Sequence, residues 1–160
     1  MSHALIPGSF DPMTLGHLDI VKRARAHYDK VTVAVLINEE KTYTYTLEQR
    51  TEIARLTLAS YPEIDVVSDK GLLVDVFERI GADVIVKGVR NERDRIYEER
   101  MAIANKELNP RAKTVFLQAA DDFEDISSTR VREIMAKGEI PEGMLAPAVI
   151  AYIQSKKGEA

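Results

Sequence analysis

The sequence contains no cysteine and no tryptophan. Without cysteine there can be no disulfide, no thiolate metal centre and no cysteine nucleophile, and the composition fits a reducing, cytoplasmic compartment. No window reaches the ~18 apolar residues that a membrane span needs. The opening MSHALIPGSF has neither the basic n-region nor the apolar h-region of a signal peptide. An excess of positive charge is missing too. The formal net charge is −4 and the isoelectric point about 5.5, opposite in sign to the broad basic surface of a nucleic-acid binder. No nucleic acid or membrane partner is therefore expected, and an anionic ligand has to meet local cations. Neither G-x-x-x-x-G-K-[ST] nor G-x-G-x-x-G occurs, so a phosphate would be held by some device other than the P-loop or the dinucleotide fingerprint.

The chain has 160 residues, 45% hydrophobic and 30% charged, enough for one core and one domain over 1–160. Short β-rich runs recur: ALI at 4–6, VTVAVLI at 31–37, IDVVS at 64–68, DVIVKG at 83–88 and TVFLQ at 114–118. The segments between them are long enough for helices. Leu18, Val21 and Ala24 repeat at helical spacing, and Thr46 with Gln49 forms a T-x-x-Q capping box. Near-continuous apolar strands separated by helices predict an α/β fold, a single-domain, doubly wound (Rossmann-like), five-stranded parallel sheet with flanking helices. Ligands of such folds bind beyond the carboxyl ends of the strands.

Three stretches fall at those ends. In PGSFDPMTLGHLDIV the first strand stops in a turn at Pro7-Gly8, Ser9 offers a hydroxyl, and a helix begins at Gly16-His17. The free amides and positive dipole end of that helix favour a phosphate, His17 can donate an N–H to it, and Gly16 leaves room for a nucleotide. In ISSTRVRE, Ser127, Ser128 and Thr129 stand at another helix start with Arg132 four residues beyond Ser128, so hydroxyl, amides and guanidinium can converge on a polyphosphate. In VKGVR, Lys87 and Arg90 flank Gly88 at the exit of the fourth strand, and Lys41 follows the second. The plain alternatives are a surface histidine, a simple helix cap and scattered solvated charge. His3, ahead of the first strand, and His27, at the end of the first helix, receive no role. The acidic run Asp121, Asp122, Glu124, Asp125 reads as a solvated loop, and no metal ligands are assigned.

Thr14 to His17 (T-x-G-H) together with Ile126 to Arg132 (I-S-S-T-x-x-R) resembles the paired signatures of the nucleotidyltransferase superfamily. With GLLVDVF, VKGVRN and YEERMAIANKELNP added, the chain resembles the bacterial phosphopantetheine adenylyltransferase family almost end to end. The resemblance implies that ATP and 4′-phosphopantetheine give dephospho-coenzyme A and pyrophosphate with Mg2+, in a homohexamer built as a dimer of trimers and subject to feedback by coenzyme A. By position it implies His17 as transition-state stabiliser with Lys41 beside it, and Ser9, Lys41, Leu73, Lys87 and Asn105 as acceptor contacts. ATP contacts are implied at Ser9, Phe10, His17, Gly88, Val89, Arg90 and Glu98, and along Phe123, Glu124, Asp125, Ile126, Ser127, Ser128 and Thr129. The chain departs from the family at Arg95 and Ile96, where an aromatic and an acid are usual, at Thr129 in place of serine, and at Arg132 in place of lysine. The alternative is a related nucleotidyltransferase that takes nicotinamide mononucleotide or glycerol phosphate.

Overall fold

The structure, a computed structural model, describes residues 2–157. Residues 1 and 158–160, the ends of the expected 1–160 unit, lie outside the described residues. Five strands, β1 (His3–Gly8), β2 (Lys30–Leu36), β3 (Asp65–Asp69), β4 (Val84–Val89) and β5 (Thr114–Gln118), form one sheet in the order β3-β2-β1-β4-β5. All pairings are parallel. The chain winds outward from β1 through β2 to β3, then returns to the other side of β1 as β4. That reversal opens a crevice between the carboxyl ends of β1 and β4.

The strand sequences explain why both faces are covered. Ala4 and Ile6 of β1, Val31, Val33 and Val35 of β2, and Val84 and Val86 of β4 belong to one apolar cluster. Leu5, Ala34 and Ile85, the alternate residues, belong to a second on the opposite face. Successive side chains of a strand point to opposite faces, so a strand buried twice reads as a continuous apolar run. Helices α1 (Leu15–His27), α2 (Leu47–Thr57), α5 (Ser128–Ala136) and α6 (Pro147–Lys157) close the first cluster with Val21, Ile53, Val131 and Val149 among others. Helix α3 (Leu73–Ile80) closes the second with Val74, Val76 and Phe77. Helix α4 (Glu92–Leu108) contributes no buried residue to either core. It stands over the β4 side as one wall of the crevice.

Local chemistry fixes where the helices start. The expected capping box of α2 is present: Thr46 accepts from the Gln49 amide while Gln49 Oε1 accepts from the Thr46 amide. Helix α1 has the same device in a different spelling. The Thr14 N–H donates to His17 Nδ1 at 2.9 Å and the His17 N–H to Thr14 Oγ1 at 3.3 Å. The helix therefore begins at Leu15, with Thr14 as its cap, and not at the expected Gly16-His17. Strand β1 also runs through Pro7-Gly8 where a turn was expected. His3 lies inside β1, 8% exposed, with Nε2 2.7 Å from Thr32 Oγ1; burial first, and then the Lys30 charge, lowers its pKa. At Gly88 a Cβ would stand 2.8 Å from Ile20 Cγ1, so glycine there lets α1 pack against β4.

Candidate active site

A cleft of about 1140 Å³ opens beyond the carboxyl ends of β1 and β4. Of the residues expected to act, Ser9, Phe10, His17, Lys41, Leu73, Lys87, Glu98, Asn105, Ser128 and Thr129 line it. Its floor is the β1 exit. Gly8 is needed there because a Cβ would lie 2.8 Å from the ring of Phe10, which folds back over it with φ 46° and meets the His17 ring edge-on at 5.1 Å.

His17 is held in one chemical form. Its Nδ1 accepts the Thr14 amide, so the neutral ring carries its proton on Nε2 and can only donate from there. Burial, and then the nearby charges of Lys87 and Arg90, push its pKa down to about 4. At neutral pH it is an uncharged hydrogen-bond donor with no free lone pair to serve as a base.

Two of the cations are paired with carboxylates on one face of α4. Lys87 Nζ lies 3.2 Å from Glu98 Oε2, and Arg90 Nε 3.2 Å from Asp94 Oδ2. Lys41 differs. It sits on the exposed β2–α2 loop, and among the described residues no carboxylate lies within ion-pair distance of its ammonium. The departures Arg95 and Ile96 face away from this chemistry. Arg95 stacks over Phe116 at 5.8 Å and Ile96 is exposed.

Gly88, Val89, Arg90 and 123–127 do not form the cleft wall itself, but the Arg90 charge stands near enough to act on His17. Val89 is fully buried, Glu124 and Asp125 are exposed, and the Ser127 hydroxyl caps α5 by accepting the Arg130 amide. A Cβ at Gly16 would meet Thr14 Oγ1 at 3.4 Å, the Ile126 carbonyl at 3.5 Å and Phe123 at 3.8 Å, all ordinary contact distances. The expected free amides of α1 are also partly engaged, since Leu15 donates to the Met144 carbonyl. Ser128 and Arg132 do share a face, but Ser128 Oγ donates to the Pro12 carbonyl and Arg132 Nη1 to the Asp11 carbonyl, each at 2.7 Å. What α5 offers to an anion is its first amides, at Ser128 and Thr129, and its dipole end.

Asp11 and Arg50 are the residues that sequence reasoning missed. Asp11 is 4% exposed and accepts the amides of Thr44 and Tyr45; Arg50 is 1% exposed and donates to the carbonyls of Ser9, Leu36 and Tyr45. A signal for Arg50 existed. It stands three and four residues before Ile53 and Ala54, on the buried face of α2. Among the described residues no group of three or more His, Cys, Asp or Glu side chains is placed to hold a metal ion.

A parallel sheet with a T-x-G-H helix at its switch point, a neutral donor histidine and lysines in one cleft defines a nucleotidyltransferase. The family model described as Cytidylyltransferase-like matches residues 5–134. The chain is 40% identical to the phosphopantetheine adenylyltransferase of Heliobacterium modesticaldum over 99% of its own length and 95% of that protein's. It is 40% identical to the enzyme of that name from Symbiobacterium thermophilum (98% and 96% covered) and 39% identical to that from Clostridium kluyveri (100% and 98%). The chain belongs to the phosphopantetheine adenylyltransferase family of the cytidylyltransferase-like proteins.

Proposed function

We infer that this chain transfers the adenylyl group of ATP to 4′-phosphopantetheine, in coenzyme A biosynthesis, by in-line attack of the acceptor phosphate on the α-phosphorus. The products are dephospho-coenzyme A and pyrophosphate. Near-full-length likeness to the named relatives supports the substrates. The chemistry rests on one observation, a cleft-lining histidine fixed as a neutral Nε2–H donor.

A phosphate monoester is already mostly dianionic near neutral pH, so it needs no base to attack. The site provides none: His17 has no free lone pair, the Asp11 carboxylate is taken by two amides, and Glu98 is paired with Lys87. Catalysis then comes from positioning and charge stabilisation. Lys41 and Lys87 collect the acceptor phosphate, His17 Nε2–H donates to the α-phosphate as its charge grows, and Arg90 with the α5 amides receives the departing pyrophosphate. Among the described residues no carboxylate cluster is placed to hold a metal ion; the magnesium ion of this proposal arrives on the triphosphate of ATP as part of the substrate.

A cytoplasmic location, feedback by coenzyme A and a homohexamer belong to the same proposal. No described helix is long and apolar enough to cross a membrane. Ile96 and Ile103, seven residues apart on one side of α4, are exposed, which supports a self-associating face. The reaction is tested by pyrophosphate release with ATP or CTP against phosphopantetheine, nicotinamide mononucleotide and glycerol phosphate. ATP with phosphopantetheine is expected to turn over far faster than any other pair. An equal or higher rate with another acceptor rejects the assignment.

A further inference from the structure

Lys41 stands near the exposed tip of the β2–α2 loop, yet the base of that loop is bonded to two buried charged side chains, Asp11 and Arg50. Both carboxylate oxygens of Asp11 are spent on it. Oδ2 accepts the Thr44 amide at 2.9 Å and Oδ1 the Tyr45 amide at 3.0 Å. Asp11 is itself held from behind, where Arg132 Nη1 binds its carbonyl and Ser128 Oγ binds that of Pro12. The Arg50 guanidinium crosses the same base. Its Nη1 donates to the carbonyls of Ser9 at 2.7 Å and Leu36 at 2.9 Å, its Nε to that of Tyr45 at 3.2 Å, and it stacks 3.9 Å from the centre of the Tyr43 ring. The Tyr43 hydroxyl accepts the Asn38 amide at 2.7 Å and lies 3.3 Å from Ser9 Oγ. The Asp11 bonds to Thr44 and Tyr45, the Arg50 bonds to Ser9 and Tyr45 and the Ser9–Tyr43 contact tie the loop that carries Lys41 to the turn that carries Ser9.

A carboxylate buried this deeply is costly unless donors meet its charge. Two consecutive amides of one loop do so here, with Arg132 Nη1 4.0 Å from Oδ2 as a more distant counter-charge. We infer that Asp11 is a positioning residue for the transfer reaction: by clasping Thr44 and Tyr45 it sets the distance between Lys41 and the Ser9–His17 turn, and so between the attacking and the attacked phosphate. The inference rests on the reaction proposed above. Asparagine at this position keeps the shape but loses the charge and turns an amino group towards one of the two amides, so the clasp opens on one side. Arg132 of α5 also lies 4.0 Å from Asp11 Oδ2, but its 2.7 Å bond to the Asp11 carbonyl survives the substitution, so the α5 amides and Arg90, assigned to the departing pyrophosphate, keep their places.

The test uses the full chain and a double-mutant cycle. Asp11→Asn should lower kcat roughly 10²-fold, as a misplacement of about 1 Å does, and raise the KM for phosphopantetheine, with the calorimetric Kd for ATP within about twofold of wild type. In a Lys41→Ala background the same substitution should cost at most a few-fold, because the residue it works through is gone. Hydrogen exchange of the Thr44 and Tyr45 amides should accelerate by about tenfold or more. An equal loss in both backgrounds, or unchanged exchange, overturns the inference. If Asp11→Asn does not fold, Thr44→Pro, which deletes one of the two donors and leaves Asp11 in place, decides the same cycle. A wild-type chain that fails to adenylylate phosphopantetheine rejects the reaction instead, and the exchange readout still judges the clasp.

Discussion

Replacing His17 with alanine removes two separate things, and the structure allows each to be sized. The first is a preorganised donor. Loss of one such donor to a developing oxyanion costs about 10²- to 10³-fold in kcat, or about 2.7–4 kcal/mol of transition-state stabilisation. ATP affinity should change little, because binding draws on other groups and the donor acts mainly as charge builds. The second is half of the α1 capping box, since Nδ1 accepts the Thr14 amide; a lost cap is worth about 1 kcal/mol of stability. His17→Gln separates the two, because T-x-x-Q is the box that Thr46 and Gln49 already form in α2. The glutamine variant should keep wild-type stability, and the alanine variant should lose about 1 kcal/mol. The pH dependence follows from the same ring. Its folded pKa, about 4, lies below the unfolded 6.5, so the unfolded chain takes up the proton first. Stability is full above pH 6.5, falls as pH drops towards 4, and levels off below. A gap of about 2.5 units at about 1.4 kcal/mol each gives about 3 kcal/mol, as an order of magnitude. Urea unfolding at pH 7 and pH 4.5 should show this additional loss in wild type and not in His17→Gln. Wild-type kcat in a folded His17→Ala protein, or a His17 ring that titrates near 6.5 by NMR, would refute the reasoning.

Lys41→Ala should raise the acceptor KM and lower kcat together in steady-state assays; a change confined to ATP affinity would put Lys41 on the wrong phosphate. Gly88→Ala forces a methyl against Ile20 and should cost about 1–3 kcal/mol in denaturant unfolding, and combining it with Ile20→Ala should recover part of that loss. Phe77→Ala empties the centre of the second apolar cluster and should cost about 3–5 kcal/mol; a smaller loss would mean that α3 collapses onto the sheet.

The strands were legible because burial on both faces leaves a signature that few other structures share. VTVAVLI and DVIVKG each mark a strand to within a residue or two of its observed ends, and their alternate residues divide between two cores. Strand order was not legible in any one segment, since pairing is a property of distant residues. The cleft was legible where a motif sits on a helix start, since His17 and Ser128 both line it. Its legibility was incomplete where a side chain also serves the protein's own backbone. Ser128 and Arg132 line the cleft, as their motif suggested, but the Ser128 hydroxyl and Arg132 Nη1 are also spent on the Asp11-Pro12 turn, which the sequence did not show. Arg50 carried a pattern signal, a charge on the buried face of α2, whereas Asp11 carried none, because its partners are amides that sequence does not distinguish.

The central claim, that this cleft moves an adenylyl group onto a phosphate, is tested most directly by following the α-phosphorus. Incubation with ATP labelled at the α-phosphorus and unlabelled 4′-phosphopantetheine should place the label in a product with the mass of dephospho-coenzyme A, while label at the γ-phosphorus leaves as pyrophosphate. Release of the α-label in AMP or ADP, with none in the acceptor, would contradict the account.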